Sequence, residues 1–236
     1  MGLFRKLFGK SNQRHDAFHR NLVALVAEQE IDLILDVGAN QGQYAGAMFD
    51  LGYQGRIVSF EPGAAAHAAL LANAAGNPRW VVAPRMALGR KREMLTLHTF
   101  NRTDMNSLLP PTADAFGSFP KLSQAGAEEV QVERLDEVIE NFPAGRRILL
   151  KVDTQGAELA VIEGAAGCLD RIAMLQLEVP VVPVYEAAPA WMDILRPVHE
   201  SGFRPVLTAP GYFAKRINRQ LDMDIVFLRP PGDQKS

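Results

Sequence analysis

Along most of the chain, short apolar runs of strand length alternate with segments whose apolar residues recur every three to four positions. The alternation starts after residue 30. "IDLILDV" is an apolar run carrying one acid, Asp36, and predicts a buried strand, and "GQYAGAMFDLG" predicts a helix stopped by a glycine. "GRIVSFEP" predicts a second strand closed by Pro62, "GAAAHAALLANAAG" an alanine-rich helix and "RWVVAP" a third strand. This βαβαβ succession is the pattern of a parallel sheet with crossover helices. "EMLTLHTF" then alternates like an edge or hairpin strand, and His98 within it reads as a surface or core residue rather than a ligand.

The second half resumes the pattern. "EEVQVERLDEVIENF" predicts a strand running into a short helix, followed by "RRILLKVD" (strand), "GAELAVIEGAAGCL" (helix) and "RIAMLQLEVP" (strand). "APAWMDILRPVHESG" predicts a helix, and "FRPVLT" and "MDIVFLRP" two last strands. Between the halves, residues 101–126 are rich in Asn, Thr, Pro, Ser and Gly and predict a long loop, a length that in a compact domain tends to carry function. No repeat or linker divides the chain, so residues 31–230 read as one doubly wound α/β domain with a tail at 231–236.

Residues 1–30 read as a helical extension. In "DAFHRNLVALVAEQE" Phe18, Leu22, Leu25, Val26 and Gln29 fall on a helical period and predict a covering helix. "MGLFRKLFGK" sets Leu3, Phe4, Leu7 and Phe8 beside Arg5, Lys6 and Lys10. Such a short basic amphipathic segment lies on an anionic membrane surface, docks on a partner, or packs against its own domain.

Composition narrows the classes. Hydrophobic residues at 47% with 22% charged suit a globular domain, and a net charge of −2 does not favour a nucleic-acid partner. The single cysteine, Cys168, excludes an internal disulfide, fits a reducing compartment and reads as a small buried hydrophobe. No apolar run approaches the ~20 residues that span a bilayer, and the N-terminal apolar stretch is too short for a signal peptide. The expectation is a cytoplasmic protein, peripheral to the inner face of the membrane if the first ten residues bind lipid.

The first strand–helix turn, "LILDVGANQG", raises the question of a ligand. Gly38 and Gly42 permit a tight turn and close approach, and Asn40 between them tolerates left-handed backbone angles. The turn lacks the G-x-G-x-x-G spacing of dinucleotide binders, and Asp36 is awkward beside a pyrophosphate. An acid is welcome near the ammonium of S-adenosylmethionine, which carries no phosphate. Glu61, ahead of Pro62 at the end of the second strand, can accept from both ribose hydroxyls of either ligand. The balance favours S-adenosylmethionine. A nicotinamide-dependent oxidoreductase and a non-catalytic module that binds S-adenosylmethionine or a glycan remain alternatives.

Taken in order, "ILDVGANQGQY", "VSFEP", "NSL" at 106–108, "RLDEV" at 134–138 and "LLKVDTQGAELAVIEGA" resemble the FkbM-type methyltransferase family. The resemblance implies a class I, Rossmann-like fold with a mostly parallel seven-stranded sheet whose last strand is antiparallel. It also implies S-adenosylmethionine as cofactor and O-methylation of a hydroxyl on a sugar, glycan or glycosylated metabolite.

Methyl transfer to an alcohol needs a base to take its proton or a metal to acidify it. At the carboxyl end of the fourth strand, "KVDTQGAE" presents Asp153, with Lys151 on the same face and Glu158 opening the next helix. These are the catalytic candidates, each with a structural alternative: a turn residue, a strand-end cation and a helix N-terminal acid. Asp153 and Glu178, on adjacent strand ends, are similar to the magnesium site of catechol-type O-methyltransferases, and oxygen ligands suit Mg²⁺. They could equally hold substrate. "DTQGAE" is unlike the [Asn/Asp/Ser]-Pro-Pro-aromatic pattern of nucleic-acid and protein-amide methyltransferases, and no zinc or serine-hydrolase motif is present.

Two segments could cap an acceptor site: the 101–126 loop and "VPVVPVYEAAP" at 179–189. Asn106, Ser107 and Tyr185 could hydrogen-bond sugar hydroxyls, and Arg102 could meet an acidic group. "APGYFAKRINRQ", with Lys215, Arg216 and Arg219, reads as a solvated hairpin face or as a guide for a phosphorylated or lipid-linked glycan.

Overall fold

A computed structural model of the chain describes residues 13–113, 119 and 121–230. The amphipathic segment 1–10 and the tail 231–236 lie outside the described residues, as do 114–118 and 120 of the expected loop.

Five parallel strands occupy one side of the main sheet: β1 (Leu33–Val37), β2 (Arg56–Phe60), β3 (Trp80–Val82), and, further along the chain, β7 (Ile148–Val152) and β8 (Ile172–Pro180). The sheet is completed by β9 (Arg204–Pro210) and β12 (Asp222–Leu228) in the order β3-β2-β1-β7-β8-β12-β9. β12, last in the chain, runs antiparallel between β8 and β9. Every residue of β1 and β7 is buried, which is why these strands read as continuous apolar runs rather than alternating ones.

Alternation along β1 separates the two cores. Ile34 packs with Met48, Ile57 and Leu149 beneath α1 (Gln13–Glu28) and α2 (Gln43–Asp50). Leu35 faces the opposite way, with Val58, Leu150 and Leu175. That side is closed by Val161 of α5 (Glu158–Gly164) and Ile194 of α6 (Trp191–Glu200). Two further helices, α3 (Ala64–Ala74) and α4 (Leu135–Val138), link the strands, and Cys168 is buried in the second core. Phe18, Leu22 and Val26 of α1 are buried, as its periodicity predicted.

A second sheet of three strands, β4 (Ala87–Leu88), β6 (Gln124–Glu133) and β5 (Glu93–Phe100), sits beside the first. β6 starts at Gln124, inside the segment expected to be loop. Its first residues are exposed, so no apolar alternation marks them. The remaining loop is pinned by Phe100, Met105, Phe119 and Leu122, which pack with Tyr185 and Leu221. A small hairpin, β10 (Phe213–Ala214) with β11 (Arg219–Gln220), follows β9. Among the described residues no helix is long and apolar enough to cross a membrane.

Candidate active site

The carboxyl edge of the parallel strands carries the site, and the glycine turn after β1 shapes its floor. Gly38 has φ +76°, and a Cβ there would lie 1.8 Å from the carbonyl oxygen of Asp153, so a side chain would drive the ends of β1 and β7 apart. Asn40 is also left-handed, at φ +49°. Its N–H donates to Glu61 Oε2 at 2.8 Å, and its Oδ1 accepts from the Thr103 hydroxyl at 2.8 Å. Gly42 precedes α2 with φ +89°, and a Cβ there would strike Trp80 and Leu70. Gly42 therefore serves packing, while Gly38 and Asn40 line a cavity of about 370 Å³.

Glu61 and Pro62 leave the end of β2 and face this cavity. Glu61 Oε1 accepts from the Gly63 N–H at 2.8 Å. Burial pushes its carboxyl up to about 7, against the pull of the two backbone donors. Phe18 and His19 of α1, Tyr44 of α2, and Leu88 and Leu97 supply other walls. The volume falls within the ~300–1,000 Å³ usual for small-molecule sites.

Asp36 does not reach the cavity, contrary to the role the sequence suggested. It is fully buried, accepts from the Ser59 hydroxyl at 3.3 Å, and meets the Lys151 ammonium at 3.0 Å. That approach is off the hydrogen-bonding direction, so Oδ1 has an ionic partner but no aligned donor. The pairing follows from register, because Asp36 and Lys151 are partners across β1 and β7. Lys151 Nζ also donates to the Gly38 carbonyl at 3.3 Å and lies 3.6 Å from Asp153 Oδ2. Burial pulls the ammonium's pKa down, but Asp36 and Asp153 outweigh it, and the net shift is upward. Lys151 is thus held as a cation and cannot act as a neutral base.

After β7 the chain turns through Asp153, Thr154, Gln155 and Gly156. Glu158, a catalytic candidate, is instead consumed by this turn. Its Oε1 accepts from the Thr154 N–H (2.9 Å), the Thr154 hydroxyl (3.0 Å) and the Gly156 N–H (3.1 Å). Gln155, missed in the sequence, is held at φ +57°. Its Nε2 donates to Asp153 Oδ1 at 3.0 Å and to Glu178 Oε2 at 2.6 Å. An amide N–H₂ group therefore bridges the two carboxylates proposed as metal ligands. Among the described residues no group of three or more His, Cys, Asp or Glu is arranged to hold a metal ion. The Mg²⁺ expectation does not fit these residues.

Asp153, Gln155, Glu178 and Asp224 also border a second cavity of about 620 Å³. Because β12 is antiparallel, its first residues arrive at the carboxyl edge, and Asp224 pairs with Glu178 across β12 and β8. Burial and then the neighbouring acids Asp153, Asp222 and Asp224 raise the Glu178 carboxyl well above its ordinary range. Burial raises Asp222 to about 6. The signal for these two aspartates was present in "DMDIVFL", two acids at i and i+2 opening an apolar strand.

The second cavity has aromatic walls. Tyr212 stacks against Phe119 with ring centroids 4.8 Å apart, and the single proton of the Tyr185 hydroxyl is shared between the Met105 carbonyl (2.9 Å) and Gln155 Oε1 (3.1 Å). Arg102 is ion-paired with Asp104 at 2.6 Å. Two other substrate candidates lie elsewhere. Asn106 borders the first cavity and accepts from the Phe100 N–H through Oδ1. Ser107 is buried, and its hydroxyl donates to the Gln155 carbonyl at 2.6 Å, fixing the turn rather than a ligand.

A seven-stranded sheet in this order, with one antiparallel strand and paired cavities at its carboxyl edge, defines a class I methyltransferase fold. Residues 36–205 match the methyltransferase FkbM domain, and the chain belongs to that family of S-adenosylmethionine-dependent methyltransferases. None of the curated proteins matches the sequence. Among solved structures, the chain is similar to cofactor-bound Rv0187 from MTB at 13% identity, with 89% of this chain and 78% of that chain covered and a TM-score of 0.50. It is also similar to an O-methyltransferase from Bacillus cereus in complex with SAH, at 15% identity, 89% and 80% coverage and a TM-score of 0.47. At 13% identity the likeness to Rv0187 is one of fold. The family sets aside the oxidoreductase alternative.

Proposed function

We propose that the protein O-methylates a hydroxyl of a sugar, glycan or glycosylated metabolite, with donor and acceptor in the two adjoining cavities. The carrying observation is that Asp153 borders both cavities. In the smaller, donor cavity the residues fit S-adenosylmethionine: Glu61 can accept from ribose hydroxyls, and Leu88 and Leu97 offer apolar walls to a base. When bound, the cofactor supplies an electrophilic methyl group on a sulfonium.

The chain's own residues supply position and proton transfer. Asp153 takes the acceptor's hydroxyl proton, so that the oxygen could accept the methyl group that the cofactor would supply, the carbon–sulfur electron pair staying with sulfur. Lys151, held charged by Asp36, sets the field at Asp153, and Gln155 fixes the carboxylate's direction. In the acceptor cavity, carboxylates can accept from several hydroxyls while the exposed Tyr212 offers a ring face to the C–H side of a sugar.

The test is incubation with methyl-labelled S-adenosylmethionine and fractionated cell glycans. Label in a glycan fraction that survives mild alkali, as a methyl ether does and a methyl ester does not, is the expected result. Label that is alkali-labile, or found in protein or nucleic acid instead, would overturn the reading.

A further inference from the structure

The strip of surface beside the acceptor cavity is both basic and apolar. Between Pro210 and Asp222 the chain has Lys215, Arg216 and Arg219 and no acid, in a protein of net charge −2. The β10–β11 hairpin exposes Phe213 by 51% and Ile217 by 41%, and Lys215, Arg216 and Arg219 are exposed beside them. Its inner side is anchored: Ala214 and Leu221 are buried in the apolar cluster with Tyr185, and the Tyr212 N–H donates to Asp222 Oδ1 at 3.0 Å. Gly211, Tyr212, Phe213 and Leu221 form part of the acceptor cavity's wall.

We propose that this hairpin, residues 212–219, seats on an anionic lipid surface, so that the acceptor cavity opens beside the membrane. Aromatic and aliphatic tips flanked by Lys and Arg are the arrangement that enters the headgroup region, with the cations reaching lipid phosphates. A protein partner fits less well, since a stable interface needs about 800 Å² per side and a hairpin of two short strands offers far less. RNA would use the cations and stack a base on Phe213 but leave the aliphatic Ile217 idle. The seating does not depend on methyl transfer. That the acceptor is therefore a membrane-borne, lipid-linked glycan rests on the reading above.

The full chain is sedimented with vesicles of phosphatidylcholine alone or mixed with phosphatidylglycerol. Binding is expected to the anionic vesicles only. Lys215→Glu/Arg219→Glu should weaken it by about tenfold or more. Ile217→Ser, which keeps every charge, should weaken it severalfold. Phe4→Ser/Phe8→Ser measures the share carried by the first ten residues, and an unchanged thermal shift with S-adenosylhomocysteine shows that each variant is folded. No binding to anionic vesicles would overturn the proposal, as would hairpin variants that bind like the parent. So would binding indifferent to Ile217→Ser, the purely electrostatic result that an RNA ligand would also give. Because no turnover is read, these outcomes are independent of whether methyl transfer is found.

Discussion

Around the donor cavity, the turn that matters comes from two neighbouring strand ends. Gly38 and Asn40 follow β1, Glu61 follows β2, and the Asn40 N–H joins the two at 2.8 Å. Around the acceptor cavity the walls come from stretches scattered from Arg102 to Asp224, met only because β12 inserts antiparallel next to β8. On the donor side Glu61 stands apart from the other acids, tied down by backbone donors, while Asp153, Glu178 and Asp224 lie where the two cavities adjoin. The acceptor side gathers Asp153, Glu178, Asp222 and Asp224 with Gln155 between two of them. A cluster of partly buried acids is costly for folding, so it marks the place where function outweighs stability.

The contrast can be broken first at Asp153. Asp153→Asn should lower turnover by about 10²- to 10⁴-fold, the usual worth of a positioned base, in a labelled-transfer assay. The same change removes one of four mutually repelling carboxylates, so Tm at pH 8 should rise. A non-catalytic binding module would show no transfer to lose, while the rise in Tm would remain.

On the donor side the largest structural effect belongs to Asp36. Asp36→Ala leaves Lys151 charged and buried, and should cost about 3–5 kcal/mol by chemical denaturation. That corresponds to a fall in Tm on the order of 10 °C for a chain of this size.

A finer distinction lies in pH. Glu61 holds its proton in the folded protein up to about 7, against an ordinary value of 4.5. The folded state therefore binds more protons across that window, and Glu61's contribution to stability falls as pH rises through it and is level above. Ribose hydroxyls prefer the ionised carboxylate, so affinity for S-adenosylhomocysteine should strengthen severalfold from pH 5.5 to 7.5, as read by calorimetry. Glu61→Gln should flatten this profile. The smallest effect concerns metal: turnover in EDTA should match turnover with added Mg²⁺, because an amide bridges Asp153 and Glu178.

Legibility followed the same divide. The buried strands, the glycine turn and Glu61 could be read because each is local: an apolar run, a positive-φ residue, an acid at a strand end. The sequence points Asp36 at a ligand's ammonium, but its partner is Lys151, 115 positions away and fixed only by the β1–β7 register. Glu158 borders the acceptor cavity yet its carboxylate is taken up by the turn before it, and an acid opening a helix looks the same in sequence either way. Asp222 and Asp224 show as acids opening an apolar strand, and only their meeting with Glu178 needs the β8–β12 register, whereas no local spacing announces a residue such as Gln155 that bridges two carboxylates.

The most direct test of the division of labour is a titration of S-adenosylhomocysteine into three proteins: wild type, Glu61→Ala and Asp153→Asn. Glu61→Ala should bind at least about tenfold more weakly, as expected when hydrogen bonds to a charged group are lost. Asp153→Asn should bind within about threefold of wild type, since its loss falls on the transfer step rather than on the donor site. Weak binding by Asp153→Asn together with wild-type binding by Glu61→Ala would contradict the assignment of the two cavities.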